Sequence, residues 1–169
     1  MHDSYKRCGN VAYSFSYFDF GGMYVKIQTS RFGDIDIDMN LIYKFPAGIP
    51  GFEELTRFIV ITLDGQEGFS YLQPIDQGEI SFIIVDPFEF FPNYSFDIPE
   101  QVITELDIQQ ESEVIVFAIA TVKDEVDKAT VNLVAPVIMN LRSKLGKQVI
   151  LINRDYETRH PLFQPLKGV

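Results

Sequence analysis

The chain has 169 residues, of which 46% are hydrophobic and 14% aromatic, and a formal net charge of -10. That length suits one domain burying roughly 70% of its unfolded surface, and the composition excludes a disordered chain. The single cysteine, Cys8, excludes an internal disulfide, and no stretch supplies the roughly 20 apolar residues of a membrane span.

Residues 1–22 differ in character from the rest of the chain. Tyr13, Phe15, Tyr17, Phe18 and Phe20 crowd a stretch that ends in Gly21-Gly22. Val11–Phe20 comes nearest to a signal-peptide core, but serines and Asp19 interrupt it, so the chain is expected to be cytoplasmic and soluble. We expect an N-terminal extension over 1–22, outside a core domain spanning 23–169.

From Tyr24 to Thr29, Val25 and Ile27 share one face and Lys26 and Gln28 the other, which predicts a strand. Asp34, Asp36 and Asp38 alternate with Ile35, Ile37 and Met39, again at the period of a half-buried strand. The aspartate spacing matches the start of a calcium loop. However, Met39 stands where that loop needs glycine and Phe45 where it needs glutamate, so the face reads as solvated and no metal site is expected.

Phe45-Pro46-Ala47-Gly48-Ile49-Pro50-Gly51-Phe52-Glu53 combines two prolines and two glycines with three large apolar side chains. Proline fixes φ and glycine supplies conformations other residues resist, so the loop is rigid and pinned to a core. It reads either as a structural corner between strands or as a preorganised surface for a partner. A single helical turn is expected over Glu53–Thr56.

Strands are expected at Arg57–Leu63, Phe69–Leu72 and Ile80–Val85, with turns at Asp64-Gly65 and Asp76-Gln77-Gly78. Residues 86–94 form a loop with four aromatics, Phe88, Phe90, Phe91 and Tyr94, which must pack inward or meet a partner. Asn93-Tyr94-Ser95 matches a glycosylation sequon that is idle without secretion. Asp97 with Glu100 suggests a capping box opening a short helix through Val102, Ile103 and Leu106.

Val114–Val122 is long and apolar enough for a central strand buried on both faces. Thr130–Asn140 is a strand broken by Pro136, and Lys147–Ile152 the last strong strand. Roughly eight short strands with frequent turns and one short helix predict a mostly β, single-domain antiparallel β barrel or sandwich.

Charge is segregated along this order. Residues 1–57 carry 6 bases and 7 acids, 58–122 carry 12 acids and no Lys, Arg or His, and 123–169 carry 8 bases and 5 acids. A folded domain with such a block presents a strongly negative surface, which repels nucleic acid and attracts basic proteins. Catalytic constellations are sparse: His160 is the one histidine of the core, no cysteine lies there, and no Gly-rich phosphate loop is present. We therefore expect neither an enzyme nor a cofactor.

The motifs in order and spacing resemble a known family. Phe45–Glu53, Leu72-Gln73, Phe82 with Asp86-Pro87, Phe91-Pro92-Asn93-Tyr94, Thr130–Pro136 with Asn140, Gly146-Lys147-Gln148 followed by Val149-Ile150-Leu151, Tyr156, and His160-Pro161-Leu162 are similar to those of the flagellar assembly factor FliW family. The resemblance covers about Met23 to Phe163. It departs at Pro74, where a small polar residue is expected after Leu72-Gln73.

The resemblance implies a binding protein with two partners, the small RNA-binding translational repressor CsrA and flagellin. Bound to CsrA, such a protein relieves repression of flagellin mRNA, and free flagellin captures it and releases CsrA. The acidic block would then disfavour RNA phosphates near CsrA without filling the RNA groove. Candidate contacts are Phe45, Pro46, Gly48, Ile49, Pro50, Gly51, Phe52 and Glu53, with Asn132, Pro136 and Asn140. Each has a structural reading as a turn or bulge that defines the fold. Two alternatives are a β barrel binding a small molecule or glycan through the 87–94 aromatics, and an enzyme using acid pairs.

Overall fold

A computed structural model describes residues 22–65, 68–152 and 155–163. The expected extension over 1–22 lies outside the described residues except for Gly22.

The alternating segments 24–29 and 33–38 become a hairpin of β1 (Tyr24–Thr29) and β2 (Gly33–Asp38), in register from Tyr24 opposite Asp38 to Thr29 opposite Gly33. Gly33 at φ 68 completes its three-residue turn, and the Thr29 hydroxyl accepts from the Phe32 amide while donating to the Gly33 carbonyl. Ile27 and Ile37 face inward and are buried with Ile42, Ile59, Ile61 and Tyr71.

The remaining strands are β3 (Tyr43–Lys44), β4 (Arg57–Thr62), β5 (Phe69–Pro74), β6 (Phe82–Val85), β7 (Val114–Thr121), β8 (Thr130–Val131), β9 (Val137–Asn140), β10 (Gly146–Gln148) and β11 (His160–Pro161). They form one antiparallel sheet in the order β10-β9-β7-β6-β5-β4-β3, with β8 beside β7 and β11 beside β8.

The apolar run of β7 is the centre of this sheet. Ala118–Ala120 pair with β6 along one edge; along the other, Val114–Phe117 pair with β9 and Ala120 and Thr121 with β8. The break at 132–136 allows this, because proline cannot donate to a ladder. Val114, Val116, Ala118 and Ala120 enter one apolar cluster, while Ile115, Phe117 and Ile119 pack against another. The strand is therefore apolar at every position but its last.

That second cluster is the innermost. Phe45, Phe58, Leu72, Ile84, Val137 and Met139 are all fully buried in it. Burial of each such side chain contributes about 1.5–3 kcal/mol. The sheet curls until its two ends touch: Lys44 and Leu145 form a parallel bridge, and the Lys44 amide donates to the Lys144 carbonyl at 2.8 Å. The result is the expected mostly β, antiparallel, sandwich-like architecture.

Several local expectations are corrected. There are two short α-helices among the described residues rather than one, α1 (Pro87–Phe90) and α2 (Glu100–Glu105). The first lies in the expected aromatic loop, where the Asp86 carboxylate accepts from the Phe88 amide and Pro87 occupies the first turn. The capping box does not form: Pro99 is the N-cap of α2 and Asp97 stays outside the helix. A residue before proline is pushed toward extended backbone, so Ile98 cannot enter the helix and is buried instead. Residues 53–56 form turns and coil rather than a helical turn, and the last strong strand ends at Gln148. Among the described residues eleven strands replace the roughly eight expected, because β3, β8 and β11 are two-residue pieces.

Candidate partner-binding site

The Phe45–Glu53 corner is two turns in succession. The Gly48 amide donates to the Phe45 carbonyl at 2.9 Å, with Pro46 second in that turn. The Phe52 amide donates to the Ile49 carbonyl at 2.7 Å, with Pro50 second and Gly51, at φ 86, third. This is the proline-then-glycine order of a type II turn. The Gly51 amide also donates to Glu53 Oε1 at 2.9 Å, and that bond holds the Glu53 carboxyl below its ordinary range.

Beneath the turns, Phe45 meets Phe58 edge-on at 4.8 Å and Phe52 meets Phe82 at 5.1 Å, while Ile49 is buried. Phe45, Gly48 and Ile49 thus face the core and Phe52 is half-buried. Pro46, Ala47, Pro50, Gly51 and Glu53 face solvent. A surface fixed in this way loses little conformational freedom when a partner docks.

Asn132, Pro136 and Asn140 all bond to other parts of the chain. Asn132 Oδ1 accepts from the Val134 and Ala135 amides, and its own amide donates to the Ile119 carbonyl. Pro136 is buried, and its carbonyl accepts from Val149. Asn140 is fully buried: its Nδ2 donates to the Leu106 and Asp107 carbonyls, both at 3.0 Å, and its Oδ1 accepts from the Arg142 and Ser143 amides. The corner and the Asn140–Gly146 turn are nonetheless neighbours, through Lys44 with Lys144 and Phe45 with Gly146.

Sequence reasoning missed the ion cluster beside Asn140. Arg142 Nε bonds Glu113 Oε1 and its Nη2 bonds Asp107 Oδ2, both at 2.9 Å. Asp107 holds φ 53 just past α2, where its amide donates to Thr104 and that of Ile108 to Ile103. That is a helix C-terminal motif usually closed by glycine, and only the absent glycine hid it.

The aromatics of 86–94 turn inward. Tyr94 is buried, donates to the Leu133 carbonyl at 2.8 Å, and has its phenol pushed up by burial. Phe90 meets Phe69 and Phe91 meets His160 edge-on. Pro74, the departure from the family pattern, is buried opposite Phe58 at the end of β5, with Gln73 Nε2 donating to its carbonyl.

Bases outside the cation-free stretch pair with acids in it: Arg57 with Asp76, Lys147 with Glu105, and Arg142 with Asp107 and Glu113. Asp64, Glu79, Glu89, Asp97 and Glu100 are exposed and form no ion pair with another described residue. No group of three or more His, Cys, Asp or Glu among the described residues is placed to hold a metal ion. No helix among them is long and apolar enough to cross a membrane.

Comparison with known proteins places this architecture. The FliW protein family model matches residues 26–162. The flagellar assembly factor FliW of Thermoanaerobacter pseudethanolicus is 41% identical over 146 residues, covering 85% of this chain and 97% of that protein. Its counterpart in Desulfitobacterium hafniense is 38% identical over 144 residues, covering 85% and 95%. A crystal structure of the flagellar assembly factor FliW superposes with a TM-score of 0.79 at 39% identity, covering 84% of this chain and 99% of that one. The chain belongs to the FliW family of flagellar assembly factors.

Proposed function

We propose that this chain is a cytoplasmic partner switch, which binds and antagonises the RNA-binding translational regulator CsrA and is captured by flagellin. Flagellin abundance then sets flagellin translation. No catalysis and no direct nucleic-acid contact enters the scheme. The observation that carries the reading is the set of five exposed carboxylates from the cation-free stretch that form no ion pair with another described residue: Asp64, Glu79, Glu89, Asp97 and Glu100. Held beside a basic protein, they raise the electrostatic cost of bringing RNA phosphates close without occupying the RNA groove.

The corner supplies a rigid docking element with Pro46, Pro50 and Glu53 outward. The small-molecule reading has less support, because the aromatics it requires at 87–94 are packed against the core and one another.

The test is the affinity of CsrA for flagellin leader RNA, measured with and without this chain at low and high salt. Lowered RNA affinity, with the effect fading at high salt, is expected. A variant neutralising the five carboxylates as Asn or Gln should antagonise less at low salt. Equal antagonism by that variant at both salts contradicts the electrostatic mechanism.

A further inference from the structure

The β1–β2 hairpin is a two-stranded sheet, and β2 pairs with no strand but β1 among the described residues. Opposite residues in an antiparallel pair alternate between those that exchange backbone hydrogen bonds and those that do not. The Met39 amide donates to the Met23 carbonyl, so Met23 with Met39, Val25 with Ile37 and Ile27 with Ile35 are the exchanging pairs. Asp34 and Asp36 fall between them, and their amides and carbonyls point away from β1. No other strand or loop among the described residues takes these groups up. The β1 edge differs. There the Ser30 amide donates to the Gly78 carbonyl, and a Cβ on Gly78 would lie 1.7 Å from the Gln28 carbonyl oxygen. The β2 edge is thus an open template for another strand.

The two faces of β2 decide what kind of strand fits. On the outer face stand Asp34 and Asp36, both exposed, with the half-buried Asp38 next in line. Lys26, across from Asp36, is the one cation of the hairpin's outer face, and the Arg31 guanidinium of the turn lies over the Tyr71 ring instead. On the inner face Ile35 is half-buried, and the end rung of Met23 and Met39 is 69% and 42% exposed. A strand laid along this edge would set alternate side chains beside the aspartates and the others beside Ile35 and Met39. Basic residues suit the first set and apolar residues the second. The β2 edge of a second copy does not fit, because it would bring aspartate opposite aspartate, and like charges directly opposite are destabilising. Acidic side chains at an edge turn away strands of like charge and favour a basic one.

We propose that the free edge of β2 at Asp34 and Asp36 accepts an added β-strand from a partner protein, a segment alternating Lys or Arg with large apolar residues. Main-chain hydrogen bonds supply the affinity, and the alternation of side chains supplies the selectivity. Neither CsrA nor flagellin is needed for this binding, so it stands or falls apart from the partner switch.

The probe is a synthetic peptide, acetyl-Lys-Val-Lys-Ile-Lys-Val-Lys-amide, titrated by calorimetry into the full chain beside a peptide with Glu in place of every Lys. Asp36→Pro removes the outward amide and keeps the ladder to β1, since proline is tolerated where the N–H of an edge strand faces solvent. Asp36→Asn removes the charge and keeps the amide. A third variant, Asp34→Asn with Asp36→Asn, removes both charges. We expect the Lys peptide to bind and the Glu peptide not to. The proline variant should bind the Lys peptide about tenfold or more weakly than Asp36→Asn, because a donor is lost and the ring blocks the approach. The double asparagine variant should lose much of the salt dependence. Hydrogen exchange of the Asp34 and Asp36 amides should slow when the peptide is bound.

No binding of the Lys peptide, or equal binding of both peptides, overturns the proposal. Equal affinity of Asp36→Pro and Asp36→Asn for the Lys peptide overturns it as well, by showing that the main chain takes no part. Slowed exchange elsewhere, with the Asp34 and Asp36 amides unchanged, assigns the peptide to another surface, with the same consequence. Should the proline variant unfold, the exchange pattern of the unsubstituted chain decides the matter alone.

Discussion

Gly146 sits directly against the Phe45 ring: a Cβ added to Gly146 would lie 2.4 Å from ring carbons Cε2 and Cζ. This is where the two ends of the curled sheet meet, one residue from the Lys44–Leu145 bridge. The Phe45 ring cannot retreat easily, because it is fully buried and packed on Phe58.

Gly146→Ala should therefore destabilise the fold by about 1–3 kcal/mol, the range for overpacking a close-packed core. Thermal unfolding checks this. A melting temperature equal to that of the unsubstituted chain would show that the sheet ends do not meet as described.

The two corner glycines should differ. Gly51 holds φ 86 with nothing within 4 Å of an added Cβ, so Gly51→Ala costs only backbone strain, about 1–2 kcal/mol. Gly48 holds φ 65, and its Cβ would lie 2.6 Å from the Glu53 backbone. Gly48→Ala must strain the turn and also displace the chain across it. Urea midpoints should rank the unsubstituted chain first, Gly51→Ala next and Gly48→Ala last.

Asn140→Ala removes two donated and two accepted bonds at a fully buried position. The Leu106 and Asp107 carbonyls keep Ser143 Oγ and Arg142 Nη2 as donors, so the orphaned groups are the Arg142 and Ser143 amides; at about 1–3 kcal/mol each, a loss of about 2 kcal/mol or more is expected. The change should not touch partner affinity in the fraction that remains folded. A loss of affinity without loss of stability would instead make Asn140 a contact residue.

Acid should weaken the fold with a definite sign. Glu53 is held below the ordinary carboxylate range by the Gly51 amide, Glu105 by Lys147, and Glu113 chiefly by the Gln109 amide with Arg142 assisting. A depressed acid lends stability that is fully present above the unfolded-state value and is lost as pH falls through the folded-state value. Urea midpoints should hold near neutrality and decline below the ordinary carboxylate range. Glu113→Gln should be less stable at neutral pH and show a shallower decline.

Much of the architecture was legible in the sequence because its signals are local. Alternation at 24–29 and 33–38 marked the hairpin, the apolar run at 114–122 marked the central strand, and Pro136 marked the break that divides β8 from β9. The proline–glycine order of 45–53 marked the corner and its rigidity. What was not legible depends on partners distant in sequence. β3, β8 and β11 are strands only because neighbours pair with them, and no two-residue segment carries a period. Asn140 is a candidate contact through the family resemblance, and its burial was not legible because no local pattern shows that α2 ends beside it. The apolar end of β1–β2 continues the same alternation as its buried rungs, so only the extent of the covering sheet reveals it as exposed.

The most direct measurement is calorimetric titration of the full chain with CsrA, repeated after saturation with flagellin. The partner switch predicts tight binding to CsrA that flagellin abolishes. Binding to CsrA that persists undiminished in the presence of flagellin, or no binding to either protein, would contradict it.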